Sequence, residues 1–284
     1  MSDTIITAVE QQPEAAEQRF GGPVSTLRIG LSRGRLELSQ FVQDRAAVIL
    51  FILFPVVMLV LFAAIFKGTE GGVPLKEIYT TGFIAVGIVS TSFQLLSLAV
   101  AGERANGTLK RLRGTPMPKP SYFIGKIILV LVLSLVQVGV LLLIGNLFFG
   151  LSVPHSASRW VTLVWVYLLG VAGCTLLGIA YSSLVKANTG GLLVVLPVIA
   201  LQFISGVFIP FNQLPRGVQE VAAVFPLKWI SQGLRSVFLP NSFTVLEPAG
   251  QWEHGKTALV LGAWAVAGLV LCLTTFKWRD RGEG

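Results

Sequence analysis

Apolar residues in this chain run in long blocks, not in the alternation of a half-buried strand. Six blocks carry no Asp, Glu, Lys, Arg or His: Ala46–Phe66, Ile78–Ala101, Ile127–Phe149, Trp160–Val185, Thr189–Phe211 and Thr257–Phe276. Each reaches the roughly 20 apolar residues that a helix needs to cross a hydrocarbon core about 30 Å thick. Backbone in lipid must satisfy its own hydrogen bonds, which a helix does within one segment. The pattern predicts an all-α integral membrane fold with six transmembrane helices.

The stretches between the blocks are patterned too. Residues 1–20 hold four acids, one Arg and few bulky apolar groups, the composition of a disordered tail. The first apolar block starts too late and is too long for the core of a signal peptide. The organisation expected is therefore a tail over 1–23 and one membrane domain over 24–284. In Val24–Asp44, Val24, Leu27, Leu31, Leu38 and Val42 recur at spacings of three, four or seven, with Arg28, Arg35 and Gln43 between them. That spacing predicts a basic amphipathic helix lying in the membrane interface. Gly30 and Gly34 weaken it by about 1 kcal/mol each. Between the fifth and sixth blocks, Val218, Val221, Ala222 and Phe225 follow helical spacing. Pro226 interrupts, and Trp229, Ile230, Gly233, Leu234, Val237 and Phe238 resume it. Neither piece can cross a bilayer, so a re-entrant or interfacial helical hairpin is expected.

Charge fixes an orientation. Only 13% of residues are charged, against about 25% in a soluble domain. The net charge of +8 reads first as basic loops beside a membrane, with nothing pointing to nucleic acid. With six spans both termini share a side. That side collects fifteen Lys and Arg and the other seven, so both termini are expected in the cytoplasm. Cys174 and Cys272 both lie inside apolar blocks, which argues against a disulfide framework or a metal site.

Chemistry-bearing motifs are absent. No G-x-x-x-x-G-K-[ST] loop occurs, since Gly125–Lys126 is followed by Ile127. His155 and His254 sit in separate loops, and no acid, base and nucleophile constellation stands at membrane depth. Spans without ionisable residues also argue against an ion-coupled carrier.

Two polar segments remain. One is Glu103-Arg-x-x-Gly-Thr-Leu-x-Arg-Leu-Arg-x-Thr-Pro116, in which Thr108–Arg113 can form a short helix. The other is Ser205-Gly-Val-Phe-Ile-Pro-Phe-x-x-Leu-Pro215, followed by Phe225–Pro226. With the six-span layout and the amphipathic amino-terminal helix, they resemble the membrane subunit of a type-2 ATP-binding-cassette (ABC) exporter. The wording of the motifs is most similar to daunorubicin-resistance-type drug-export permeases of actinobacteria. The resemblance covers roughly residues 24–278.

That resemblance implies a permease in a bacterial cell membrane, working with a separate ABC ATPase dimer and a second permease copy, as a homodimer, among membrane lipid. It implies no cofactor bound by this chain, with ATP and Mg held by the partner ATPase. The loop after the second span would carry a coupling helix, with Glu103, Arg104, Asn106, Gly107, Thr108, Leu109, Arg111 and Leu112 against the ATPase. The family lines its path with the second and fifth spans. Phe83, Ser90, Phe93, Gln94 and Ser97 are the candidates on the second, and Gln202, Phe203 and Ser205 on the fifth. Ordinary packing by small residues is the alternative reading for each. Pro210, Leu214, Pro215, Phe225 and Pro226 would form an outer gate. An uncharged path suits an amphipathic or apolar small molecule such as a drug. A lipid-linked polysaccharide or glycolipid is the alternative cargo, and an ATP-independent carrier or channel the alternative class.

Overall fold

In the computed structural model of the chain, residues 23–185 and 190–275 are described. The amino-terminal tail, Lys186, Thr189 and the carboxy-terminal basic residues lie outside that set. Helix α1 covers Pro23–Gln43, and α2 covers Arg45–Ile65. A two-stranded hairpin follows, with β1 Thr69–Glu70 paired to β2 Val73–Pro74 across Gly71–Gly72. Both glycines have positive φ, 58° and 77°, as a tight two-residue hairpin turn requires. Then come α3 Leu75–Ala105, the short α4 Thr108–Arg113, α5 Lys119–Phe149 and α6 Ala157–Tyr181. The last part comprises α7 Gly190–Ile204, α8 Arg216–Val224, α9 Pro226–Phe238 and α10 His254–Thr275.

Five described helices, α2, α3, α5, α6 and α10, are long and apolar enough to span a membrane. The fifth block differs from its expected bounds of 189–211. Its described helix stops at Ile204, because Gly206 takes a left-handed φ of 78° and a turn leads to Pro210. The fourth span ends at Tyr181, short of Val185. There the Ser182 and Ser183 hydroxyls donate to the carbonyls of Ile179 and Ala180.

Two spans contain a π turn. In α2 it covers Ile49–Leu53, just ahead of Pro55. The wider turn accommodates a residue with no N–H whose ring would crowd the preceding carbonyls. In α3 it covers Ser90–Gln94, where Thr91 donates to the Gly87 carbonyl at 2.8 Å and Ser97 to the Phe93 carbonyl at 2.7 Å. Side-chain hydroxyls there compete for helix acceptors.

α3 stands at the centre. Its most apolar window is 83% buried, against 17% for α2 and 22% for α10. Small residues set the close crossings. A Cβ on Gly178 of α6 would lie 2.8 Å from the Phe93 carbonyl oxygen of α3, and one on Gly268 of α10 would lie 2.9 Å from Leu176 Cβ. In lipid, where apolar burial between helices drives little, such close packing is a main source of association. Gly30 and Gly34 of α1 do the same against α5: a Cβ on Gly30 would meet Ile124 Cγ2 at 2.5 Å, and one on Gly34 would meet Ile128 Cγ2 at 2.8 Å. These glycines thus serve as the contact of α1. Leu27, Leu31 and Val42 of the apolar stripe remain exposed.

Candidate functional site

The polar motif after the second span forms a compact structure at one end of the bundle. Gly107 holds the turn into α4 with φ 70°. A Cβ there would touch nothing, so the backbone conformation alone selects glycine. Leu109 is buried and anchors α4, whereas Lys110, Arg111 and Arg113 are exposed. Arg111 Nη2 donates to the Asn106 carbonyl and to Thr108 Oγ1, both at 3.3 Å, and Leu112 is half-buried. Asn106 through Leu112 therefore form a small basic knob.

Glu103 and Arg104 turn inward instead. Arg104 Nη1 donates to the Ser182 carbonyl at the end of α6, at 2.6 Å. Glu103 sits in a cluster that joins three helices. Its Oε1 accepts from Lys126 Nζ of α5 at 2.9 Å and from Arg33 Nη2 of α1 at 3.1 Å. Its Oε2 accepts from Tyr122 of α5 at 2.7 Å. Glu37 closes the cluster, 2.9 Å from Arg33 Nε and 3.0 Å from Lys126 Nζ. The Lys126 and Glu37 side chains are 2% and 3% exposed, so each charge depends on its partners. Sequence reading noted Lys126 only as part of a motif and missed Arg33, Glu37 and Tyr122. A signal was present: Arg33 and Glu37 are an i,i+4 pair, and Lys126 immediately precedes a long apolar block.

The hairpin motif lies beyond the middle of α6, toward its other end: Gly170 packs on Ile230, and Arg159 Nη1 donates to the Val237 carbonyl at 3.2 Å. Pro210 precedes a turn at Phe211–Gln213, Leu214 is half-buried, and Pro215 and Phe225 flank α8. Pro226 opens α9, and Phe225 stacks on Trp264 of α10 with centroids 6.3 Å apart. Trp264 Nε1 also donates to the Val224 carbonyl at 2.6 Å. The second helix of the expected hairpin, α9, lies inside the bundle and not on its surface. Every residue from Leu227 to Phe238 is buried. An amphipathic helix can be buried all round only if its polar face is neutralised. Here Arg235 Nε donates to Glu247 Oε1 at 2.8 Å, and Gln232 Nε2 donates to Glu247 Oε2 at 3.0 Å. Lys228 donates to Gln232 at 3.0 Å, lies 3.9 Å from Glu253 and stands over the Trp229 ring at 3.5 Å. Burial lowers the Lys228 ammonium to about 8, against the opposing pull of Glu247 and Glu253.

The candidate path residues meet different neighbours along α3. The π turn inserts a residue and rotates the helix register by about 100°. Phe83 packs on Phe62 and Phe208, whose ring also meets Phe203 at 4.9 Å. Gly87 instead faces Gln137 of α5. Ser97 Oγ donates to the Gly178 carbonyl of α6 at 3.1 Å, and Phe93 packs beside Tyr181 at 5.4 Å. Ser90, Gln94, Gln202 and Ser205 are buried, and Ser205 Oγ has no hydrogen-bond partner among the described residues.

A protein-family model described as ABC-2 type transporter matches residues 34–239. A putative transport permease, ycf38, of Porphyra purpurea is 27% identical over 77% of this chain and 80% of its own length. A probable multidrug ABC transporter permease, YbhR, of Escherichia coli is 27% identical over 51% of this chain and 39% of its own. A linearmycin resistance permease protein, LnrN, of Bacillus subtilis is 28% identical over 57% of this chain and 42% of its own. The match thus spans under half the length of the latter two. A family model covering more than half of the chain, on a mostly helical membrane fold, makes this chain a permease subunit belonging to the ABC-2 type transporter family.

Proposed function

We propose that the chain is the membrane subunit of an ATP-driven exporter that moves a hydrophobic or amphipathic small molecule. It takes its energy from a separate ATPase dimer that binds the ATP and Mg, and it pairs with a second copy of itself. The cargo reading draws on the printed descriptions of the multidrug and linearmycin-resistance relatives and on the uncharged candidate path. Both termini face the cytoplasm of a bacterial cell, by the excess of Lys and Arg on their side.

The observation that carries the reading is the cluster of Arg33, Glu37, Glu103 and Lys126 directly behind the exposed basic knob of α4. A rigid-body push on α4 reaches α1, α3 and α5 together through these ion pairs, and α6 through Arg104. Asn106, Gly107, Thr108, Arg111 and Leu112 are the contact residues, and the buried Leu109, expected among them, anchors α4 from within. Glu103 and Arg104 are positioning residues that act through the helices they hold. Phe83, Ser90, Phe93, Gln94, Ser97, Gln202, Phe203 and Ser205 stand as path candidates, and Pro210, Leu214, Pro215, Phe225 and Pro226 as the gate.

Co-purification of the tagged full chain from its native membrane tests this. An ATPase subunit should accompany it. Gly107→Val, strained at its left-handed φ by about 1–2 kcal/mol, should weaken that association several-fold with unchanged insertion. A chain that purifies alone and moves solute in vesicles without ATP would overturn the reading.

A further inference from the structure

A cavity of about 330 Å³ lies between α3, α6, α7 and α10, beneath the joint of α8 and α9. Phe93, Ala180, Val198 and Trp264 are among its walls, and Phe225 and Pro226 form its roof. Among the described residues no charged side chain lines it. The hydroxyls that do are already engaged with backbone: Tyr181 donates to the Leu193 carbonyl at 2.9 Å, Ser183 to Ala180 at 2.7 Å and Thr275 to Leu271 at 2.6 Å. Water placed there would find too few polar partners, and an empty space would forfeit the dispersion contacts of its walls.

The shape is directional. Stacked Phe225 and Trp264 close the end toward the hairpin. At the opposite end Leu184 and Leu271, both lining residues, are 67% and 43% exposed, so the cavity opens sideways there. That end lies on the α4 side of the bundle, since Arg104 reaches Ser182 next to it. From Trp264 to Thr275 the last helix advances about 16 Å at 1.5 Å per residue. This is close to half of a hydrocarbon core about 30 Å thick. The space therefore runs from one membrane interface to the midplane, the depth of one leaflet. Its volume falls in the range of small-molecule sites, about 300–1,000 Å³.

We propose that this cavity holds one acyl chain of a membrane phospholipid, drawn from the leaflet on the α4 side, with the headgroup left at the rim near Ser183 and Thr275. The chain fills the gap between α7 and the α6–α10 pair and supports the hairpin joint from below. The site is defined by the walls of a single subunit and does not depend on the coupling role of α4.

The test uses the full chain in phosphatidylcholine vesicles doped with a phosphatidylcholine carrying a diazirine near the end of one acyl chain. Photolysis and peptide mapping should label the segments around Ala180 and Val198 about tenfold more, per residue, than bilayer-facing Leu135 and Leu143. Ala180→Phe and Val198→Phe should each cut the cavity labelling about tenfold, since overfilling a packed site displaces its occupant, with Leu135 and Leu143 unchanged. Two fillers are used so that failure of one to fold leaves the other. Equal labelling of cavity and outer faces overturns the proposal. So does labelling that persists in a well-folded filler variant. A non-lipid amphiphile that co-purifies and blocks the lipid label would assign the cavity to cargo and overturn it equally.

Discussion

Two clusters of buried charge stand at opposite ends of this membrane bundle, and each contains two cations and two carboxylates. At the α4 end, Arg33 and Lys126 face Glu37 and Glu103. At the hairpin end, Arg235 and Lys228 face Glu247 and Glu253. Both resolve the same difficulty, since a charge away from water needs a partner. They differ in what they connect. The hairpin cluster is local, all its members lying between Lys228 and Glu253, and it closes a segment upon itself. The α4 cluster joins residues 70 and 23 positions apart, from three separate helices. A local cluster fixes a shape. A long-range cluster makes separate elements move together.

The largest effect should follow from Lys126→Met. It leaves Arg33 as the one cation of the cluster for Glu37 and Glu103, and breaking a buried pair costs about 3–5 kcal/mol. Thermal unfolding of the purified chain should fall accordingly, and α1 should become open to protease. Arg235→Met should lower stability on a similar scale but leave α1 protected. If both variants release α1, the two clusters are not independent.

A smaller effect tests how local the hairpin pair is. Exchanging its charges, Arg235→Glu with Glu247→Arg, should recover part of the stability lost in either single variant, by roughly 0.5–3 kcal/mol. No recovery would mean that Ser231 and the Gly206 carbonyl, which Arg235 Nη1 also contacts, outweigh the carboxylate.

A third test concerns Lys228. Its folded value of about 8 lies below the ordinary 10.5, with burial as the main cause. The unfolded chain binds this proton more tightly, so the cost of the buried charge is fully present below pH 8. Stability should rise between pH 8 and 10.5, by at most about 1.4 kcal/mol per pH unit. Lys228→Met should flatten that rise in thermal unfolding measured against pH. A rise of equal slope in the variant would assign it to another group.

Much of the fold was legible because span length is set by the bilayer. Five of the six blocks are long helices within a few residues of their expected ends, give or take a turn at α3 and two at α5. The Pro226 joint and the α4 helix were legible too, since proline and local spacing act over one turn. The end of the fifth block was misplaced because Gly206 and Pro210 break an apolar run that hydropathy alone reads as continuous. What surrounds Phe83, Ser90, Gln94 and Ser97 was less legible for a related reason: the π turn at Ser90–Gln94 leaves no trace in hydropathy yet rotates everything beyond it.

Local composition alone establishes that this chain crosses a membrane, how many apolar blocks it has and where its short polar motifs lie. Those properties depend on local composition against a solvent of fixed thickness. Packing in three dimensions makes Gly30 and Gly34 a contact, buries α9 all round and pairs Lys126 with Glu37 and Glu103. Each of these depends on a partner distant in sequence, or on a neutralising group that periodicity does not identify. A charged residue in a sequence reads as solvated until the fold brings it an opposite charge and takes away its water.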